Sequence, residues 1–279
     1  MNTILFSLLA CCAWGTSEFL GGMKNRSVPL LVLLIGMELS GLLVIIIIVF
    51  LFAGEVPDLK YILYAITAGT FGIIGVASIF HGMSIGTIGV VSTIGATSTI
   101  IPILYDLLTG NRLSFCQGAG IVLAIGGIVL LTEGKISLNK KTYLTASAGF
   151  AVAGAFFFGL YFIFIDLASN QDPYWAACFS RVATITIIGT GIAIKRPTYH
   201  LTKSDVSIIV VIGLFDACGV VAFNMATTFG LVGIVSVIAS LYPIITIMLA
   251  RIFLKEKMNT FQKIGVLGAM AGVALISGG

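Results

Sequence analysis

Few side chains in this sequence can do chemistry, and most of those lie inside apolar runs. Arg181 interrupts "AACFSRVATITIIGTGI", Glu38 interrupts "LIGMELSGLLV", Asp216 lies in "GLFDACGVVAFNMATTFG" and Glu18 in "AWGTSEFLGG". Arginine is a permanent cation whose planar fork suits carboxylates and other anions. A carboxylate in such surroundings recognises an amino group or exchanges a proton. Trp14 lies one helical turn before Glu18, so ring and acid share a face and together suit a cationic or amine-bearing ligand. Asn224 follows Asp216 at i+8 on the same face. Arg181, Asp216, Glu38, Glu18, Trp14 and Asn224 are therefore the candidates for binding substrate or a coupling ion. Each has a plainer alternative. Arg181 and Glu38 could form a structural salt bridge, Asp216 could bond a neighbouring helix, and Glu18 could sit near the interface while Trp14 packs against helices. Asp106 and Arg251 close their spans and read as interfacial anchors, and the lone His81 reads as a hydrogen-bonded structural residue.

Other chemistries find no support. There are two histidines, no H-E-x-x-H, no glycine-rich phosphate loop after a strand and no aspartate pair at useful spacing, so we expect no enzyme, no cofactor and no metal site. Cys11, Cys12, Cys116, Cys178 and Cys218 show no C-x-x-C or histidine-associated spacing and are expected to be small buried hydrophobes. The formal charge of +4 comes largely from short loops, which speaks to membrane topology and not to nucleic acid.

The elements that must carry these residues follow from composition. Of 279 residues, 58% are hydrophobic and 9% charged, against roughly a quarter charged in soluble domains. Apolar runs of about twenty residues recur, and Leu30 to Ala53 is nearly uniform all the way round, without an amphipathic stripe. Breaks at Gly, Pro, Asn and charge clusters predict ten spans, at 2–22, 29–52, 61–80, 86–108, 114–132, 144–168, 173–194, 206–228, 231–253 and 260–277. The opening "MNTILFSLLACC" has no Lys or Arg before Lys24, so it reads as the first span and not as a signal peptide. This is an all-α, polytopic membrane protein whose work is done inside the bilayer.

The ten spans repeat. A shift of 144 residues superposes Gly15 on Gly159, Pro29 on Pro173, Gly75 on Gly219, Gly86 on Gly230, Gly89 on Gly233 and Ser92 on Ser236. One residue later, a shift of 145 places Gln117 on Gln262, Gly120 on Gly265 and Gly127 on Gly272. The expected domains are a first five-helix repeat at 1–134 and a second at 143–279. Because five is odd, the second repeat enters from the opposite side, which gives inverted repeats about an axis in the membrane plane and a site near the midplane where they meet. The loops after spans 1, 5, 7 and 9 with their flanks hold Lys24, Arg26, Lys135, Lys140, Lys141, Lys195, Arg196, Lys203, Arg251, Lys255, Lys257 and Lys263, and the other side holds Lys60 and Arg112. By the positive-inside rule both termini are expected outside, in a plasma (inner) membrane.

Depth singles out one pair. Arg181 lies eight residues after Pro173, about 12 Å along a helix and near the midplane, too deep for easy snorkelling. The shift of 144 carries Glu38 to position 182, so the repeats place an acid and a base at nearly equal depth on equivalent helices. Glycine rows at Gly86, Gly89, Gly95, Gly230 and Gly233 permit close helix approach or expose backbone to a cavity. Pro102 and Pro243 can kink the same spans. Gly268 and Gly272 form a G-x-x-x-G, a packing seam or dimer contact.

Several segments resemble the EamA-type members of the drug/metabolite transporter superfamily. These are "AWGTSEFLGG" with its counterpart "FFFGLYFIFIDLAS", and the paired hairpins "GTIGVVSTIGATSTIIPILYDLLTGNRLSFCQGAGIVLAIGGIVLL" and "GLVGIVSVIASLYPIITIMLARIFLKEKMNTFQKIGVLGAMAGVALI". The resemblance covers nearly the whole chain. It implies a ten-helix secondary carrier of small metabolites, amino acids or drug-like compounds, often working outward. One departure is that the family's "GE" after spans 4 and 9 reads Gly110-Asn111 and Lys255-Glu256, which keeps the acid in one repeat only. The expected function is a secondary transporter, in the exporting direction, of a small polar metabolite. Its expected partners are the bilayer, the solute and a proton as candidate coupling ion, and the chain is expected to be a monomer or weak homodimer. A passive channel or facilitator is the alternative.

Overall fold

Without water in a bilayer core, backbone N–H and C=O groups must be satisfied within the segment, and helices do this at every residue. The computed structural model describes residues 2–86, 88–130, 141–196, 199–254 and 260–278, and their regular structure is helical throughout. In chain order the helices are α1 (Asn2–Lys24), α2 (Leu30–Phe52), α3 (Leu59–Ile85), α4 (Ile88–Gly95), a 3₁₀ turn (Ala96–Thr99), α5 (Ile100–Leu108), α6 (Phe115–Leu130), α7 (Lys141–Ser169), α8 (Pro173–Lys195), α9 (Lys203–Thr227), α10 (Val232–Ala239), α11 (Tyr242–Leu254) and α12 (Thr260–Gly278). Eight of the helical runs are long and apolar enough to cross a membrane, counting α4 to α5 and α10 to α11 as one run each, and the shorter apolar helices α6 and α12 complete ten spans. Lys135, Lys140, Lys257 and the Lys255-Glu256 pair lie outside the described residues.

Local sequence sets the ends. The Asp172 carboxylate accepts from the N–H groups of Tyr174 and Trp175, with Pro173 in the first helical position of α8. Thr202 and Asp205 form a reciprocal capping box on α9. Spans 4 and 9 are not single helices. Pro102 and Pro243 each lack the N–H that the carbonyl four residues earlier would accept, and the chain tightens just before each of them. In span 9 the Leu241 N–H reaches only back to Ile238 and the Ile244 N–H only to Leu241. The break in span 4 meets α10 of span 9, with the hydroxyls of Thr99 and Ser236 3.1 Å apart.

The halves pack as a pseudo-two-fold pair. α1 packs on α9 and its repeat mate α7 packs on α3; α2 packs on α9 and its mate α8 on α3; α2 meets α8, and α6 meets α12. The register is carried down to atoms. A Cβ at Gly15 would lie 2.6 Å from Ile245, and one at Gly159 2.4 Å from Ile101, the residue 144 positions before Ile245. Gly219 likewise receives the Trp14 ring and Gly75 the ring of its mate Phe158, at 2.5 and 3.1 Å. On the periphery Gly120 faces Gly272 and Gly127 faces Gly265, again exchanged by the repeat.

The packing-seam reading of Gly272 holds, and the cysteine reading changes. The G-x-x-x-G glycine Gly272 is used within the chain, where a Cβ would lie 2.6 Å from the Gly120 carbonyl, so α6 already occupies that seam. Of the cysteines only Cys11 is buried; Cys178 is half-buried, and Cys12, Cys116 and Cys218 face outward, where lipid accommodates a thiol as readily as a core does. The His81 ring is held edge-on by Phe150, with centroids 4.5 Å apart.

Candidate functional site

Where the repeats meet they enclose a cavity of about 100 Å³, walled by α1, α2, α3, α7, α8, α9, α11 and the 3₁₀ turn. A water needs roughly 10–15 Å³ of such space and drug-sized sites run to about 300–1,000 Å³, so this conformation has room for a small solute only.

Arg181, 3% exposed, stands on this wall between two acids from two other helices. Its Nη1 bonds Glu38 Oε2 at 2.7 Å, and its Nη2 bonds Asp216 Oδ2. Glu38 comes from the first repeat, and Arg181 and Asp216 from the second. Gly41 leaves space for the guanidinium: a Cβ there would lie 3.1 Å from Arg181 Cζ. The Thr184 hydroxyl, one turn beyond Arg181, donates to the same Glu38 Oε2 at 2.8 Å. The arginine thus gives one nitrogen to each of two carboxylates and does not clamp either with both. A solute carboxylate could take the two-pronged contact that neither resident acid uses.

Glu18 forms a second polar group on the same wall. It is 8% exposed, and its Oε2 accepts from the hydroxyls of Ser92 at 2.5 Å and Thr246 at 3.1 Å. Those hydroxyls come from α4 and α11, the two broken spans. The Tyr242 hydroxyl donates to the Ser92 carbonyl at 3.4 Å, so the acid rests in a cage of hydroxyl and carbonyl oxygens. Among the described residues no cation pairs with Glu18. Fully ionised, the cavity would therefore set one positive charge against three negative ones, and buried uncompensated charge is strongly disfavoured.

Five of the six predicted residues, Trp14, Glu18, Glu38, Arg181 and Asp216, line the cavity together. Asn224 does not. It is fully buried nearer the end of α9, where its amide donates to the Pro173 carbonyl at 3.1 Å and ties α9 to the start of α8. A shared face with Asp216 two turns away does not put both in one cavity, because α9 leaves the wall at Val220. Asp106, near the end of α5, is buried, and its carboxylate accepts the Gly233 N–H at 2.7 Å, tying α5 to the first turn of α10. Sequence reasoning missed Tyr161, Thr184, Ser92, Thr246 and Tyr242. Thr184 could have been read from its i+3 spacing to Arg181, and Ser92 from its register with Ser236. Tyr161 was hidden in an aromatic run that reads as packing.

The sequence pattern of the EamA-like transporter family matches twice, over residues 1–133 and again over 145–278. The chain belongs to the EamA-like transporter family. It is an integral, multi-pass membrane transporter of the drug/metabolite transporter superfamily. A solved crystal structure 17% identical to this EamA-like chain superposes with a TM-score of 0.80, covering 98% of this chain and 95% of its own, and so shares the fold. No curated protein matches it by sequence.

Proposed function

We propose that this EamA-like protein is a secondary carrier for a small zwitterionic metabolite of amino-acid size, working by alternating access around the cavity between its repeats. The observation that carries the reading is Arg181 held by one acid from each repeat, Glu38 and Asp216, on the wall of a buried cavity. The solute's carboxylate takes the guanidinium, its ammonium group takes a released acid, and the resident ion pairs reform when it leaves. Glu18, caged by hydroxyls and paired with no cation among the described residues, serves as the proton site.

Both ends of the path are bridged between repeats by few bonds, as a carrier that opens alternately requires. At one end the Gly54 N–H donates to Asp172 at 3.0 Å, the Asp58 N–H to Gln171 at 2.8 Å and the Trp175 indole to the Gly54 carbonyl at 3.2 Å. At the other, Lys24 pairs with Asp205, and the Tyr199 hydroxyl donates to the Ser27 carbonyl at 3.1 Å. The Lys and Arg bias supports a cytoplasmic Lys24 end with both termini outside, and the family resemblance supports a plasma-membrane carrier working outward.

The test is uptake of radiolabelled amino acids into proteoliposomes, with and without a pH gradient. The parent protein accumulates solute when the gradient is applied, and Arg181→Ala and Asp216→Asn lose this. Glu18→Gln still exchanges solute across the membrane but no longer responds to the gradient. If all three variants behaved as the parent does, the cavity would not be the transport site.

A further inference from the structure

The unassigned polar atom in this cavity is the phenol of Tyr161. Among the described residues three buried side-chain polar atoms lack a hydrogen-bond partner: Tyr161 Oη, Asn224 Oδ1 and Ser240 Oγ. Of these residues only Tyr161 lines the cavity. The residue is 6% exposed, and Arg181, Glu38 and Asp216 line the same cavity.

Its position follows from the way the two repeats differ. A Cβ at Gly72 on α3 would lie 3.1 Å from Tyr161 Cδ2, so the absence of a side chain there admits the ring, which Phe158 and Phe162 hold from its own helix. The repeat mate of Gly72 is Asp216, and the mate of Tyr161 is Ser17. Ser17 is already satisfied, donating to the Ile212 carbonyl at 3.1 Å. The Gly72 position, with no side chain, thus faces a long phenol that has no partner, where the mated positions carry an acid, Asp216, and a small satisfied hydroxyl, Ser17. A buried hydroxyl left unpaired is disfavoured, and one that lines a cavity is placed to be completed by what the cavity holds, whether solute or water.

We infer that Tyr161 is a specificity-determining residue, whose hydroxyl donates to the solute carboxylate that Arg181 binds and so selects solutes bearing that group. The inference rests on the carrier reading above. Arginine alone attracts any anion. A neutral donor aimed at the same group adds geometry, because a solute lacking the acceptor leaves the phenol unpaired.

Tyr161→Phe tests this, since it removes one oxygen and keeps the ring. Purified protein in detergent is titrated with the common L-amino acids, and the tightest binder is compared with its own amide, which keeps the shape and loses the charge. The variant is expected to melt at the parent's temperature or above it, because an unpaired hydroxyl has gone, while its affinity for the amino acid falls about tenfold or more. Its affinity for the amide, whose carbonyl still accepts but carries no charge, is expected to fall by a smaller factor, under about fivefold. A lower melting temperature would show a structural hydroxyl and overturn the inference, as would equal losses for acid and amide. Binding that Arg181→Ala abolishes and Tyr161→Phe leaves unchanged would overturn the role of Tyr161 alone. A parent protein that bound no amino acid would overturn the carrier reading together with it.

Discussion

The two repeats share a frame and differ in chemistry. Gly15 against Ile245 is answered by Gly159 against Ile101, and Trp14 on Gly219 by Phe158 on Gly75. At the ionisable positions the correspondence stops. The mates of Glu18, Glu38, Arg181 and Asp216 are Phe162, Val182, Met37 and Gly72. A frame that must open alternately to two sides gains from symmetry, since each half-path is built by the same packing. A binding site for one unsymmetrical solute gains nothing from it, because duplicated charges would repel one another in the same small cavity. Symmetry therefore survives in the packing of the frame and is lost at the ionisable residues that line the cavity.

Substitutions at mated positions can break this comparison. Arg181→Leu strands Glu38 and Asp216 and should destabilise the protein by about 3–5 kcal/mol, while Met37→Leu at the mated position should stay under about 1.5 kcal/mol; denaturant unfolding in detergent measures both. Frame positions should respond alike. A Cβ at Gly69 would meet the Ser180 carbonyl at 2.2 Å, and one at the mated Gly213 would meet Ser40 Oγ at 2.0 Å. Gly69→Ala and Gly213→Ala should each lose about 1–3 kcal/mol in the same unfolding measurement. The half-buried Gly118, with nothing within 4 Å of such a Cβ, should lose nothing on going to Ala. The smallest contrast is between Thr184 and its mate Ser40. The Thr184 hydroxyl reaches Glu38, but that of Ser40 bonds only its own helix, at the Gly36 and Met37 carbonyls. Thr184→Val should lower stability by about 1–1.5 kcal/mol and Ser40→Ala by less than about 0.5 kcal/mol. Equal losses at Arg181 and Met37, or unequal ones at Gly69 and Gly213, would contradict the division between frame and site.

Much of the frame was legible in the sequence because a bilayer leaves few choices. Gly, Pro and charge can end a span only where the chain leaves the apolar layer, so the predicted 173–194 became Pro173–Lys195 and 206–228 became Lys203–Thr227. Inversion followed from the odd number of spans per repeat. The breaks in spans 4 and 9 were half-legible: Pro102 and Pro243 mark them, but the meeting of Thr99 with Ser236 depends on how two distant helices are placed. The Glu38–Arg181 contact could be read because the repeat register fixed both depths. That Asp216 completes the set could not, since each residue turns a helix by about 100° and rotation is settled by packing that the sequence does not display. The same limit misplaced Asn224. Its spacing gave the correct face of α9, and the axial distance carried it beyond the cavity to a bond with Pro173.

Solute counterflow in proteoliposomes tests the central claim most directly. Vesicles loaded with an unlabelled amino acid and diluted into the same amino acid at trace radiolabel should show a transient internal excess of label, because an occupied site returns across the membrane and exchanges. The overshoot should vanish in Arg181→Ala. Label that merely equilibrates in the parent protein, or an overshoot of the same size without Arg181, would contradict a carrier whose site is the cavity between the repeats.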